Sequence, residues 1–177
     1  MSPLDPFLTL GIERRFEVDL ARVERQHREL SRALHPDRYV SAPPGERRAA
    51  LERAVQVNEA FRVVRDPVRR AEALFALAGV PVGEDREPKA APAFLMEVME
   101  HREALAEAKA ARDRAAIEAL ATAVRSREAE AERALARGLD GGADPATLVG
   151  RLGELRFYRR FLEEADAALE EWTDGSL

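Results

Sequence analysis

A helical hydrophobic pattern runs from Leu20 to Leu34, stops at Pro36, and resumes at Glu46. Proline has no backbone N–H and disfavours helical geometry at the residue before it, so the first helix must end near His35. The break turns one long helix into two that fold back on each other, antiparallel, with His35-Pro36-Asp37 at the turn. An imidazole and a carboxylate are thereby set on a loop, where recognition residues usually sit.

Similar punctuation divides the rest of the chain. Asp5-Pro6 and Gly11 bracket a short helical turn, with Asp5 as N-cap and Pro6 at the first position; Phe7, Leu8 and Leu10 are its expected core contacts. Asp19 caps the helix to Leu34, whose apolar positions are Leu20, Val23, Leu30 and Leu34, with His27 on the same stripe. Arg25, Arg28 and Arg32 recur at i, i+3 and i+7 as a basic ridge leading towards the turn. The next helix, Glu46 to Arg65, has Ala50, Leu51, Ala54, Val55, Asn58, Phe61 and Val64 as its expected buried stripe, and Asp66-Pro67 ends it. A short helix from Val68 to Ala78 follows, closed by Gly79.

Residues 80–92 are rich in Gly and Pro and form a linker between two units, residues 1–79 and 93–177. Three helices are expected beyond it, Ala93–Ala111, Asp113–Arg137 ended by Gly138, and one capped by Asp144-Pro145 that runs to Trp172. Short connections make them an antiparallel bundle. The charge divides too, +2 over residues 1–78 and −7 over 79–177. That balance is too weak for general nucleic-acid binding.

Strand signals are nearly absent, so the fold class is all-α. There is no cysteine, which excludes disulfides and thiolate ligation by this chain. His27, His35 and His101 are scattered without paired ligand spacing, so no metal site is expected. No phosphate loop or catalytic constellation occurs, which argues against an enzyme. The N-terminus lacks a signal-peptide pattern and no apolar run approaches membrane-spanning length; a cytoplasmic protein with no membrane partner is the expectation.

The first helix of the bundle carries too many apolar residues for one face. Phe94, Val98 and Leu105 cluster within about 40° and form the core stripe, whereas Leu95, Met96 and Met99 fall about 100–200° away. They share their side with Arg102 and Glu103, with Glu100 close by. In the last helix Leu148, Leu152, Leu155, Leu162 and Leu169 form one stripe, and Phe157 lies roughly 140° or more from its centre. Either these residues bury a second face inside the protein or they form a protein-binding patch, for which flexible methionine is suited.

The basic second helix, the His35-Pro36-Asp37 loop and the segment from Asn58 to Pro67 resemble the J-domain of DnaJ-class co-chaperones. Leu34 stands where an aromatic is usual, and Arg38 where lysine is. The second unit extends the likeness. Phe94-Leu95-Met96-Glu97 with Arg102-Glu103-Ala104-Leu105, the run Arg70 to Gly79, and Leu155-Arg156-Phe157-Tyr158 are similar to HscB, the iron–sulfur cluster co-chaperone family. Met99 replaces a frequent leucine and Ala73 a common aromatic. The resemblance implies an L-shaped protein, an N-terminal J-domain hairpin with short flanking helices joined to a C-terminal three-helix bundle, with no cofactor of its own. It implies that His35, Pro36, Asp37, Arg38, Arg25, Arg28 and Arg32 bind an HscA/DnaK-type chaperone ATPase and stimulate it. It further implies that Leu95, Met96, Met99, Glu100, Arg102, Glu103 and Phe157 bind an IscU-like scaffold protein. A J-protein with another client, a helical adaptor and an independent enzyme are the other readings of the residues alone.

Overall fold

The computed structural model describes residues 5–83 and 90–174, with side chains as far as Glu171. Residues 1–4 and part of the expected linker, 84–89, lie outside the described residues. Among the described residues seven α-helices follow one another: α1 (Pro6–Leu10), α2 (Leu20–Ala33), α3 (Pro44–Arg65), α4 (Pro67–Leu77), α5 (Pro92–Ala111), α6 (Arg114–Asp140) and α7 (Val149–Asp174). Among the described residues two 3-10 turns, Pro36–Tyr39 and Pro145–Leu148, complete the regular structure, and there is no strand.

Aspartates start most of the helices. Asp5, Asp19, Asp66 and Asp113 each accept at least one hydrogen bond from an otherwise unsatisfied first-turn N–H. Gly11 ends α1 at φ 65°, a conformation favoured only for residues without a Cβ.

Two hydrophobic clusters hold the chain. The smaller contains Phe7 and Leu10 of α1, Val23 of α2, and Val57, Ala60 and Val64 of α3. The larger is built from α5, α6 and α7, and it also takes in Phe16, Ala71 and Phe75 from the N-terminal part. Core membership therefore crosses the compositional boundary at residues 80–92.

Several details differ from the sequence expectation. Leu8 and Leu20 are exposed, because Phe7, Leu10 and Val23 already fill the side towards α3. In α3 the buried positions are Ala50, Val57, Ala60 and Val64, while Leu51 and Val55 are 60% and 61% exposed and Asn58 is also exposed. The stripe is rotated because α1 and α2 both pack on α3 across the Val57–Ala60–Val64 face. Gly138 lies inside α6 instead of ending it. A Cβ there would stand 2.5 Å from Leu148 Cδ1, so close helix packing is what this glycine permits. α6 continues to Asp140, with Gly141 as its C-cap. Asp144-Pro145 opens a 3-10 turn before α7.

Candidate functional site

Two exposed constellations stand at separate places. The first is the turn after α2. Leu34 caps that helix, and His35 adopts extended geometry (φ −61°, ψ 133°), as the residue before proline should. Pro36 then begins a 3-10 turn instead of an irregular loop. His35 Nδ1 accepts a hydrogen bond from the Asp37 N–H at 3.3 Å, which leaves the proton of the neutral ring on Nε2. The imidazole thus caps the turn, and its Nδ1 lies 3.4 Å from Asp37 Oδ2. Both side chains remain open to solvent, 58% and 86% exposed. The Tyr39 hydroxyl reaches back to the Ala33 carbonyl at 3.4 Å, tying the far side of the turn to α2.

Arg25, Arg28, Arg32 and Arg38 are exposed. Arg28 lies 3.7 Å from Glu24, whereas Arg25, Arg32 and Arg38 have no ion-pair partner among the described residues. His27 has a structural role that the hydrophobic pattern does not reveal. Its ring stacks on Phe61 at 4.1 Å and 12°, and its Nε2 meets Asn58 Oδ1 at 2.9 Å. Ser31 approaches the same nitrogen at 3.3 Å. The bridge fixes the register of α2 on α3.

The second constellation lies on α5. Leu95, Met96 and Met99 are 50%, 63% and 70% exposed, flanked by exposed Glu100, Arg102 and Glu103. Phe94 and Val98 turn inwards and Leu105 is buried, as the helical wheel requires. Phe157 differs from the other six. It is half-buried, meeting Phe94 edge-on at 5.7 Å and packing beside Tyr158 and Phe161. Part of it supports the α5–α7 interface and part reaches the surface.

Beneath the apolar patch, Glu97 anchors α5 to its neighbours. It accepts a hydrogen bond from the Tyr158 hydroxyl at 3.1 Å and lies 3.4 Å from Arg127 Nε and 3.7 Å from His101 Nε2. Burial, followed by the adjacent Glu97 charge, pushes the Tyr158 hydroxyl above the ordinary tyrosine pKa. Only the i, i+4 spacing of Glu97 and His101 hinted at this anchor in the sequence.

Polar contacts join the part of the chain bearing the turn to α6 and α7 of the bundle. Arg156 donates from Nε and Nη2 to Glu72 Oε1 at 3.1 and 2.6 Å. Arg159 reaches Asp66 at 3.3 Å. Asp140 accepts the backbone N–H groups of Phe16 and Glu17 at 2.6 and 2.9 Å. The buried Arg70 donates to the Val64 carbonyl at 2.8 Å and lies 4.7 Å from the Phe16 ring centroid. Burial lowers the pKa of this guanidinium, with Glu132 opposing. No sequence signal marks these pairs, whose members stand 6 to 124 residues apart.

Among the described residues no three His, Asp or Glu side chains gather as a metal site, and no helix is long and apolar enough to cross a membrane.

A family model described as the HSCB C-terminal oligomerisation domain matches residues 90–166. The co-chaperone protein HscB homolog of Azoarcus sp. (strain BH72) is 38% identical over 166 residues, covering 94% of each chain. The chain belongs to the HscB co-chaperone family. The HscB homolog of Ralstonia nicotianae is 34% identical over 168 residues, covering 95% of this chain and 96% of that protein. The chaperone HscB from Vibrio cholerae superposes with a TM-score of 0.83 at 29% identity, covering 95% and 99% of the two chains. Human co-chaperone HscB shares the fold, with a TM-score of 0.85 at 24% identity over 94% of this chain and 83% of that one. The architecture is accordingly the HscB one, an N-terminal J-like domain followed by a C-terminal helical domain. The relatives are named co-chaperones, which implies a non-enzymatic role.

Proposed function

We propose that this HscB-family protein is a J-type co-chaperone that binds an IscU-like iron–sulfur scaffold protein and delivers it to an HscA/DnaK-type chaperone. It would stimulate the chaperone's ATPase and so promote cluster transfer. The observation that carries this reading is the coexistence of two exposed constellations on one chain, the His35-Pro36-Asp37 turn and the α5 patch. Residues 1–79 supply the chaperone-facing unit, residues 93–177 the scaffold-facing unit, and residues 80–92 join them.

The chemistry is that of recognition. Asp37 offers a carboxylate almost fully in solvent, suited to a charge-assisted hydrogen bond with a partner arginine. The Asp37 N–H to His35 Nδ1 bond holds the pair in one geometry before the partner arrives, which lowers the ordering cost of binding. Arg25, Arg28, Arg32 and Arg38 present a basic face to an acidic surface, raising the association rate more than the final affinity. On α5, Leu95, Met96 and Met99 supply the desolvated centre of the scaffold contact. Glu100, Arg102 and Glu103 supply its polar rim. Holding scaffold and chaperone on one molecule raises the concentration of one beside the other.

His35→Gln should abolish stimulation of an HscA-type ATPase and leave scaffold affinity unchanged in calorimetry. Leu95→Ala/Met96→Ala/Met99→Ala should do the reverse, with each truncation costing up to about 2 kcal/mol of scaffold binding. Phe157→Ala is the poorer probe, because it would also open the aromatic cluster. Wild-type stimulation by the His35 variant, or wild-type scaffold affinity in the triple variant, would refute the corresponding half.

A further inference from the structure

The patch on α5 sits on the least packed half of its helix. No residue from Pro92 to Ala104 is buried, and the buried positions of α5 are Leu105 and Ala108, towards its far end. The N-cap residue Ala91 gives the first turn no side-chain hydrogen bond. A cleft of about 560 Å³, lined by Phe94, Glu97, Arg127, Ala131 and Tyr158, opens between this half of the helix and α6 and α7.

Aromatic edges and one carboxylate hold it instead. Phe94 meets Phe157 and Tyr158 edge-on at 5.7 and 5.9 Å. Glu97 draws polar groups from all three helices of the bundle to one oxygen. The Tyr158 hydroxyl of α7 donates to it at 3.1 Å, and Arg127 Nε of α6 lies at 3.4 Å. The buried His101 Nε2 of α5 itself, without a hydrogen-bond partner among the described residues, faces it at 3.7 Å. On the helical wheel Glu97 stands about 150° from the centre of Leu95, Met96 and Met99, on the side away from the patch. Tyr158, 4% exposed, is out of reach of any partner seated there.

We propose that Glu97 is a positioning residue for scaffold recognition, held by Tyr158 and Arg127 so that the loosely packed half of α5 presents Leu95, Met96 and Met99 in one arrangement. This rests on the α5 patch being the scaffold-binding surface. The scaffold then meets a helix already in place, and little ordering entropy is lost on binding. With the anchor cut, the binding-competent arrangement is populated for only part of the time, and the apparent affinity falls by that fraction.

The test measures affinity for a purified IscU-like scaffold protein by calorimetry, and amide hydrogen exchange along α5, in the full-length protein and its variants. Tyr158→Phe removes only the hydroxyl, and Glu97→Ala removes the anchor. Ile117→Val, at a fully buried site of α6, lowers stability without touching the anchor and serves as control. Scaffold affinity should fall about threefold for Tyr158→Phe and about tenfold for Glu97→Ala, with faster exchange from Leu95 to Glu103 in both. Ile117→Val should lower the thermal midpoint by a few degrees, as Tyr158→Phe does, and leave affinity and α5 exchange at wild-type values. Weaker binding by Glu97→Ala with unchanged binding by Tyr158→Phe would mean that Glu97 meets the scaffold itself, and would overturn the positioning role. Equal weakening by Ile117→Val would assign the effect to general stability and overturn it as well, as would unchanged α5 exchange in Glu97→Ala. Wild-type affinity in Leu95→Ala/Met96→Ala/Met99→Ala would instead remove the reading on which the role rests.

Discussion

Phe16 belongs to the connection between α1 and α2, yet its ring is 2% exposed within the core that α5, α6 and α7 build. Phe16→Ala should therefore destabilise the whole protein, although the residue lies in no helix. Burying such a ring contributes about 1.5–3 kcal/mol. Its contact with the Arg70 guanidinium, 4.7 Å from the centroid, adds about 1 kcal/mol. The gap would not close easily, because Asp140 pins the backbone N–H groups of Phe16 and Glu17 at 2.6 and 2.9 Å. A retained cavity brings the expected loss to about 3–5 kcal/mol. For a chain of this size that lowers the thermal midpoint by roughly 10 °C. Urea unfolding followed by far-UV circular dichroism should show a lower midpoint with an unchanged slope. Phe16→Leu should recover most of the loss. A loss below about 1 kcal/mol for Phe16→Ala would refute the claim that this ring locks the two cores together.

Two further outcomes follow from the site geometry. The folded-state pKa of Tyr158 is raised above the unfolded value, so its contribution to stability is fully present below about pH 10 and is lost as pH rises through the folded value. Tyr158→Phe should remove that alkaline decline and cost about 1 kcal/mol at neutral pH through the lost bond to Glu97, read from urea midpoints between pH 7 and 11. Gly141→Ala should lower the midpoint by about 1–3 kcal/mol, because a Cβ there would collide with the Arg137 carbonyl, a backbone atom that cannot swing aside; an unchanged midpoint would contradict this.

Local chemistry was legible in the sequence. Asp5 and Asp19 cap the helices they precede, and Pro36 ends α2 within two residues of the expected place. The exposed side of α5 was legible as well, because Leu95, Met96 and Met99 depart so far from the Phe94–Leu105 stripe. Leu51 and Val55 misled the reading for a physical reason. Periodicity reports which residues share a face, but neighbouring helices decide which face is covered. Here α3 turns Val57, Ala60 and Val64 inwards. The Gly/Pro-rich boundary did mark a change in chain character, but it could not show that Phe16, Ala71 and Phe75 contribute to the larger core. Such contacts join residues far apart in sequence, and no local pattern encodes them.

The Asp140 bonds to Phe16 and Glu17 have a consequence during synthesis. They span 124 and 123 residues, so the α1–α2 connection stays without its final partner until α6 is complete. At about 5–20 residues per second, Phe16 waits for roughly 6–25 s after it is made. The helical hairpin can form early from contacts within residues 5–77, but its attachment to the bundle is a late event with a long loop to close. A chain stalled or cleaved before Asp140 would carry the His35-Pro36-Asp37 turn without α7 and with an apolar Phe16 left in water.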